Sequence, residues 1–423
     1  MTEQSTLRSM MKGNILVLTV SRVLWSMSDS LCFPYLSLYI IALGGNAATV
    51  GWVNAVGTFA AAILYPIGGY IADKAGRARL VGVATLLYTS SFIIFAFANS
   101  WEMLAFAFAY QQVVLFYMPA LNAIMADSIP VGARGRIYSV TVAIPNAVRI
   151  ITPYIGGYLI ALITLQPAMR IGYTMAFGIG AVVAFIRIRY LKETVTNKEG
   201  IGRNPAKILL EGYRNVFTSL RWVFSNMRGY AIVAILLSFV GSLVTPFWIV
   251  YAQQIIGIDA YGWGLILLIG GTANTITSLI VGSLVDEIGT RRCMMISFVL
   301  AIPGMAVFPF VAAFWQAMLV WILMMVSSSF LWLSSSVFLA DSIPRALRGR
   351  IMAGVGQGVS LGVSGGGYAS GFLLFIPMTI GNLVGGYIYQ YNPQFPWFIQ
   401  VFSLSLALVM TFFIVKEPKK AEL

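Results

Sequence analysis

The segment Gly69-Tyr-Ile-Ala-Asp73-Lys74-Ala-Gly76-Arg77-Ala-Arg79 occurs in this chain twice. Gly282-Ser-Leu-Val-Asp286-Glu-Ile-Gly289-Thr-Arg291-Arg292 repeats its skeleton, with Gly69, Asp73, Gly76 and Arg79 each recurring 213 positions later. In both copies a long apolar run ends in Gly, then Asp, then a short Gly-containing turn rich in Arg. Another apolar run follows at once. The pattern describes a tight, charged hairpin between two membrane helices, and its repetition describes two halves built alike.

Composition supports the membrane reading. Apolar residues make up 59% and charged residues 10% of the 423, against about 25% charged in soluble domains, and the mean hydropathy is +0.85. Apolar runs fall at 14–43, 48–72, 80–100, 102–126, 137–161, 169–190, 229–257, 261–285, 293–313, 315–340, 351–390 and 396–415. At roughly 20 residues per crossing, each is long enough to span a bilayer. The first run is too long for the apolar core of a cleavable signal.

The cations set orientation. Arg22 and Arg149 lie inside apolar runs, Arg170 follows the fifth, and Arg187 and Arg189 stand at the end of the sixth, counted here with the loop that follows it; every other Lys and Arg lies in the two termini or an even-numbered loop. By the positive-inside rule both termini and the central segment are expected to be cytoplasmic, in a multi-pass protein of the plasma membrane. The net charge of +13 comes from these clusters and not from one basic soluble face, so a nucleic-acid partner is not expected. Cys32 and Cys293 lie far apart, without metal or redox spacing. With no His, no pair of membrane carboxylates and no phosphate-cradling loop, neither an enzyme nor a cofactor is expected.

A second hairpin repeats as well. Ala126-Asp127-Ser128-Ile129-Pro130 with Arg134-Gly135-Arg136 returns as Ala340-Asp341-Ser342-Ile343-Pro344 with Arg348-Gly349-Arg350, at an offset of 214. Pro34 and Tyr39 likewise match Pro246 and Tyr251. Two halves in the same orientation are related by an axis along the membrane normal. The expected fold is all-α, with twelve transmembrane helices in two pseudo-symmetric six-helix bundles: residues 1–190, a cytoplasmic linker at 191–228, and residues 229–423. Within the linker, apolar residues from Leu209 to Phe224 at helical spacing, with Arg214 and Arg221 between them, predict an amphipathic interfacial helix. The symmetry breaks at 351–371, where eight glycines cluster. Aligning Gly385-Gly386 with Gly156-Gly157 needs an offset of 229 instead of 214, an insertion of about fifteen residues. A loose extension of the loop before the eleventh helix is the expectation there.

These residues resemble the major facilitator superfamily, over essentially the whole chain. Its loop signature, Gly-x-x-x-Asp-Lys/Arg-x-Gly-Arg-Arg/Lys, is met by Gly69, Asp73, Lys74, Gly76 and Arg77, and in the second half by Gly282, Asp286, Gly289, Arg291 and Arg292, with Glu287 in place of the basic residue. The resemblance implies a secondary transporter working by alternating access, in which these hairpins, with Asp127, Arg134, Arg136, Asp341, Arg348 and Arg350, form a cytoplasmic gate. A carboxylate at a helix end can accept hydrogen bonds from Arg or from another helix's free N–H groups. The drug:proton antiporter branch is the most similar. Its fifth-helix Gly-Pro-x-x-Gly-Gly reads here Thr152-Pro153-Tyr154-Ile155-Gly156-Gly157, which also reads as a bend with close packing. Its fourth-helix Arg-x-x-Gln-Gly falls on Phe108, Gln111 and Gln112, without the Arg.

Formal charges inside the runs are costly in hydrocarbon and mark candidate function. Arg22 and Asp29 share one face of the first helix. Counted at about 1.5 Å per residue, Arg22, Asp29 and Arg149 lie at depths of about 14, 24 and 20 Å and could meet near the midplane. Asp29 could bind and release a proton, tuned by burial and a neighbouring Arg. The two Arg could instead attract an anionic substrate, or the group could be a static ion pair. Tyr39, Asn54, Gln111, Gln112, Tyr117, Asn122, Trp248, Asn274, Trp332 and Ser336 are candidate cavity-lining residues. The expectation is a monomeric, proton-coupled exporter of amphiphilic organic compounds. Uptake or exchange of a small organic anion, and a transporter-derived sensor, are the alternatives.

Overall fold

In a computed structural model the chain is all-helical and describes residues 11–129, 134–194, 205–362 and 371–417. Side chains at 69–75, 126, 134–136, 138–139, 205–209, 345–346, 349–350 and 353 are not described. Among the described residues, twelve helices are long and apolar enough to cross a membrane; we number them as spans. In the first bundle they are Asn14–Ala42, Ala47–Gly68, Arg77–Ala96, Trp101–Met125, Val140–Ile163 and Leu165–Tyr190. In the second they are Arg228–Ile256, Ala260–Ile288, Thr290–Phe310, Phe314–Ser342, Phe372–Tyr391 and Phe395–Ile414. Large apolar side chains such as Phe106 at 63%, Leu279 at 79% and Phe413 at 74% exposure cover the outside. In water such a surface would aggregate; against lipid it is the solvated face.

The two bundles repeat each other in their bonds as well as in sequence. Spans 1 and 7 are each interrupted by a 3₁₀ turn carrying Pro34 or Pro246. Beyond the turn, the Tyr39 hydroxyl donates to Phe95 O at the end of span 3, and the Tyr251 hydroxyl donates to Pro309 O at the end of span 9. Gly76 at φ 94° and Gly289 at φ 89° make the turns into spans 3 and 9, a conformation that β-carbons disfavour.

The bundles meet chiefly along span 2 against span 11 and span 5 against span 8. Paired glycines explain both the internal and the external contacts. A Cβ on Gly156 would lie 2.2 Å from Leu31 O of span 1, and one on Gly385 would lie 2.4 Å from Leu243 O of span 7, each within its own bundle. A Cβ on Gly157 would lie 2.4 Å from Ala260 O of span 8, and one on Gly51 would lie 2.6 Å from Asn382 O of span 11, each across the interface. These contacts cluster at the ends of the spans away from Asn14 and Val415, hereafter the far side. There Trp52 Nε1 donates to the Tyr387 hydroxyl at 2.9 Å, and the Tyr154 and Tyr261 hydroxyls are 3.2 Å apart.

One expectation is corrected. The eleventh apolar run, 351–390, is not one helix. A helix at Arg345–Val355 stops at Gly356 (φ 88°), residues 356–362 are irregular, and span 11 begins at Phe372. Glycine density and the positive φ at Gly356 and Gly362 end the helix. Nor are residues 356–362 a loose loop extension: they are folded into the second bundle. The linker helix, Pro205–Asn226, buries Gly212, Val216, Ser219 and Val223. It lies against both bundles: Tyr213 donates to Ile63 O of span 2 at 2.9 Å, while Ser219 and Leu220 face Gly354.

The paired glycines separate two effects experimentally. Gly156→Ala and Gly385→Ala overpack a bundle and should cost about 1–3 kcal/mol of stability, read as a lowered melting temperature. Gly51→Ala and Gly157→Ala should instead weaken the far-side contact between bundles. Faster labelling of a cysteine placed at Tyr387 by an impermeant maleimide would register that loss.

Candidate functional site

At the end of the bundles that carries Asn14 and Val415, each repeated hairpin is closed by a carboxylate from elsewhere. Helix N-termini present free N–H groups and partial positive charge. Neither Gly76 nor Gly289 has a capping side chain. Glu193, just after span 6, accepts from the Arg77 and Ala78 N–H groups at 3.1 and 3.3 Å. Glu417, just after span 12, accepts from the Thr290 and Arg291 N–H groups at 2.5 and 3.1 Å, and from the Thr290 hydroxyl at 2.9 Å. Sequence reasoning missed both, although Lys192-Glu193 and Lys416-Glu417 follow corresponding runs.

The remaining hairpin residues distribute as follows. Arg77 pairs with Asp127 at 2.5 Å. Arg291 donates to Thr411 O at 3.2 Å and to Phe412 O, and lies over the Phe412 ring. Arg348 donates to Ala340 O at 2.7 Å, closing the end of span 10. Gly282, Asp286 and Arg292 are exposed and Asp341 is half-buried. Gly69, Asp73, Lys74, Arg134, Arg136 and Arg350 lie outside the residues whose side chains are described. All bonds described among these clusters stay within one bundle.

The charges inside the first bundle are arranged around a residue that the run boundaries concealed. Arg187, expected in the loop after span 6, lies within that span and is 1% exposed. Cα–Cβ bonds point toward a helix's N-terminus, so from the last turn of span 6 the side chain climbs into the bundle. It donates to Thr85 Oγ1 at 2.8 Å and Ser21 Oγ at 3.3 Å, and its guanidinium stacks 5.6 Å from the Trp25 ring. Trp25 in turn packs 4.8 Å from the Tyr88 ring, and the Tyr88 hydroxyl donates to Asp29 Oδ1 at 3.3 Å. Ser21, Trp25 and Asp29, spaced four apart, thus form one polar stripe on span 1. Arg22 is half-buried beside it, whereas Arg149 is exposed on span 5.

A partly open cavity lies between the bundles. Phe33, Asn54, Thr58, Phe108 and Gln112 line it from the first bundle. Ser238, Ser242, Thr245, Trp332, Met378 and Asn382 line it from the second, together with Gly358, Val359, Ser360 and Gly362. Among the described residues its lining carries no formal charge. Of the candidate lining residues, Asn54, Gln112 and Trp332 border it. The others described bond within bundles: Gln111 to Ser91 Oγ, Asn274 to Met325 O and Ser329 Oγ, Ser336 to Gln357 O, and Trp248 to Gly362 O. Tyr39 binds Phe95 O and Tyr117 is buried in the first bundle, while Asn122 is half-buried.

The family model described as Major Facilitator Superfamily matches residues 18–366 and 230–423. The chain belongs to this superfamily. It is 28% identical over 302 residues to the multidrug resistance protein MdtG of Dickeya zeae (strain Ech586), covering 68% of this chain and 69% of that protein. It is 22% identical over 295 residues to the multi-drug resistance efflux pump PmrA of Streptococcus pneumoniae serotype 4 (strain ATCC BAA-334 / TIGR4), covering 68% and 70%. The crystal structure of the nucleoside transporter NupG matches the fold with a TM-score of 0.67 at 16% identity, over 95% of this chain and 98% of that one. The chain is therefore a multi-pass membrane transporter of the superfamily and not an enzyme.

Arg187 gives this transporter a buried cation held by hydroxyls that also donate elsewhere, Ser21 to Leu18 O and Thr85 to Val81 O. Ser21 and Thr85 therefore keep acceptors of their own without the guanidinium, and the Tyr117 hydroxyl, which also meets Arg187, keeps Thr85 as a partner. Arg187→Met should stay within about 1 kcal/mol of wild-type stability. Arg187→Ala, which leaves a void, should lose about 2–4 kcal/mol. Thermal unfolding in detergent compares the two.

Proposed function

We propose that the protein is a proton-coupled exporter of amphiphilic organic compounds. The observation that carries this reading is the uncharged cavity, with the aromatic faces of Phe33, Phe108 and Trp332 beside scattered amides and hydroxyls. Such a lining accepts apolar bodies of varied shape and fixes them with few polar contacts. The names of the relatives MdtG and PmrA, a multidrug resistance protein and an efflux pump, support the same class. An organic anion would need a cation at the cavity wall, and Arg149 does not border the described cavity.

In this reading the two bundles, residues 1–190 and 229–423, rock about their far-side contacts, with 191–228 as a tether. Both termini face the cytoplasm of a plasma-membrane protein, as the distribution of Lys and Arg supports. The far-side contacts would part in the state that opens toward that side of the membrane. The hairpin clusters are the gate that closes in that same state, and the protein works as a monomer. Asp29 is the proton carrier: protonation would remove the charge that accepts from the Tyr88 hydroxyl and change how span 1 packs.

Purified protein in liposomes tests this directly. Asp29→Asn should abolish transport driven by a pH gradient, by more than about 10-fold, while ligand binding and folding persist. Full gradient-driven transport in that variant would remove Asp29 from the coupling role. A wild type that binds compounds yet moves none would favour a sensor.

A further inference from the structure

Residues 356–362 enter the second bundle as irregular backbone, and the bundle is built to hold them. The Gly362 carbonyl accepts from Thr245 Oγ1 at 2.7 Å and Trp248 Nε1 at 3.2 Å. The Leu361 carbonyl accepts from Gln400 Nε2 at 2.8 Å. The Val359 N–H donates to Ser335 Oγ at 3.0 Å, and the Gln357 carbonyl accepts from Ser336 Oγ at 2.7 Å. Side chains of spans 7, 10 and 12 thus replace the missing helical ladder on one flank of the segment. Irregular backbone at membrane depth is tolerated only where protein or a water-filled cavity satisfies it.

The other flank faces the cavity between the bundles. Gly358, Val359, Ser360 and Gly362 line it opposite Phe33 and Phe108. The fit is close on the docked side. A Cβ on Gly362, which has φ +77°, would lie 2.5 Å from Gly241 Cα, and one on Gly358 would lie 2.9 Å from Ser336 Oγ. Gly371, just before span 11, sits against Gly356: a Cβ on it would lie 2.2 Å from Gly356 N. In the first bundle span 5 belongs to one continuous helix, Arg134–Ile163, so among the described residues the device has no counterpart there.

We propose that residues 358–362 are a recognition element for cargo, presenting peptide groups and the Ser360 hydroxyl to an uncharged hydrogen-bonding group of the ligand. The class implied is neutral aromatic compounds bearing an amide, ketone or hydroxyl. The aromatic body would lie on Phe33, Phe108 or Trp332 and the polar group on the unwound segment. This inference rests on reading the cavity as the cargo site.

The test compares two radiolabelled probes by equilibrium dialysis: benzanilide, a neutral aryl amide, and tetraphenylphosphonium, which has no hydrogen-bonding group. Ser360→Ala should weaken benzanilide binding about 5- to 10-fold, the loss of one buried hydrogen bond, and leave tetraphenylphosphonium within about two-fold. Gln400→Leu, which frees Leu361 O and lets the segment drift, should discriminate the probes in the same direction. Equal losses for both probes, no change for either, or a wild type that binds no benzanilide would each overturn the inference. Flux of the same probes under a pH gradient keeps the two readings apart. A wild type that binds both but exports neither removes proton-driven export and leaves the recognition element standing.

Discussion

Every peptide group placed in hydrocarbon must find its hydrogen bond within the protein, and this constraint governs the whole molecule. Twelve helices meet it by themselves, which is why apolar runs alone reveal most of the fold. The exception is instructive. Where the ladder fails at residues 356–362, Thr245, Trp248, Ser335, Ser336 and Gln400 take its place. Helix ends obey the same rule: Glu193 and Glu417 satisfy the N–H groups that start spans 3 and 9.

The fold was legible because two independent periodicities agree. Apolar runs count the spans, and the offsets of 213 and 214 between hairpins place the symmetry. Features that depend on three-dimensional neighbours were not legible. Arg187 stands near a run boundary, where sequence cannot distinguish a side chain reaching water from one reaching inward. The glycines of 351–371 announced a break in the eleventh run, but not that residues 356–362 dock into the second bundle, because the side chains that hold them come from three distant spans. The serines of span 10 resembled small-residue packing, and only their neighbours reveal that two of them hold irregular backbone.

The candidate site was legible in part. Asn54, Gln112 and Trp332 border the cavity, but polar residues in apolar runs serve more than one purpose. Gln111 and Gln112 are adjacent in sequence, yet one bonds to Ser91 and the other borders the cavity. A rotation of about 100° separates neighbours on a helix, and sequence alone does not fix its phase. The result is a division of labour in space: charges are gathered among spans 1, 3 and 6 of the first bundle, while the cavity wall is uncharged.

The 3₁₀ turn at Phe33–Tyr35 makes span 1 a jointed rod with unequal arms. Its far arm is pinned, through Tyr39 to Phe95 O and through Tyr35 to Pro153 O and, at 3.4 Å, to Ala260 O of the opposite bundle. Its near arm carries Arg22 and Asp29 and ends at Asn14, which is tied to Ser128 Oγ and Lys192 O. Asp29 stands four residues before the joint, close to the fulcrum. Along the helix Asp29 lies about 6 Å and Asn14 about 28 Å from the joint, so any rotation there would move Asn14 several-fold farther than Asp29. The ties of Asn14 to Ser128 and Lys192 therefore hold the joint at its longest lever.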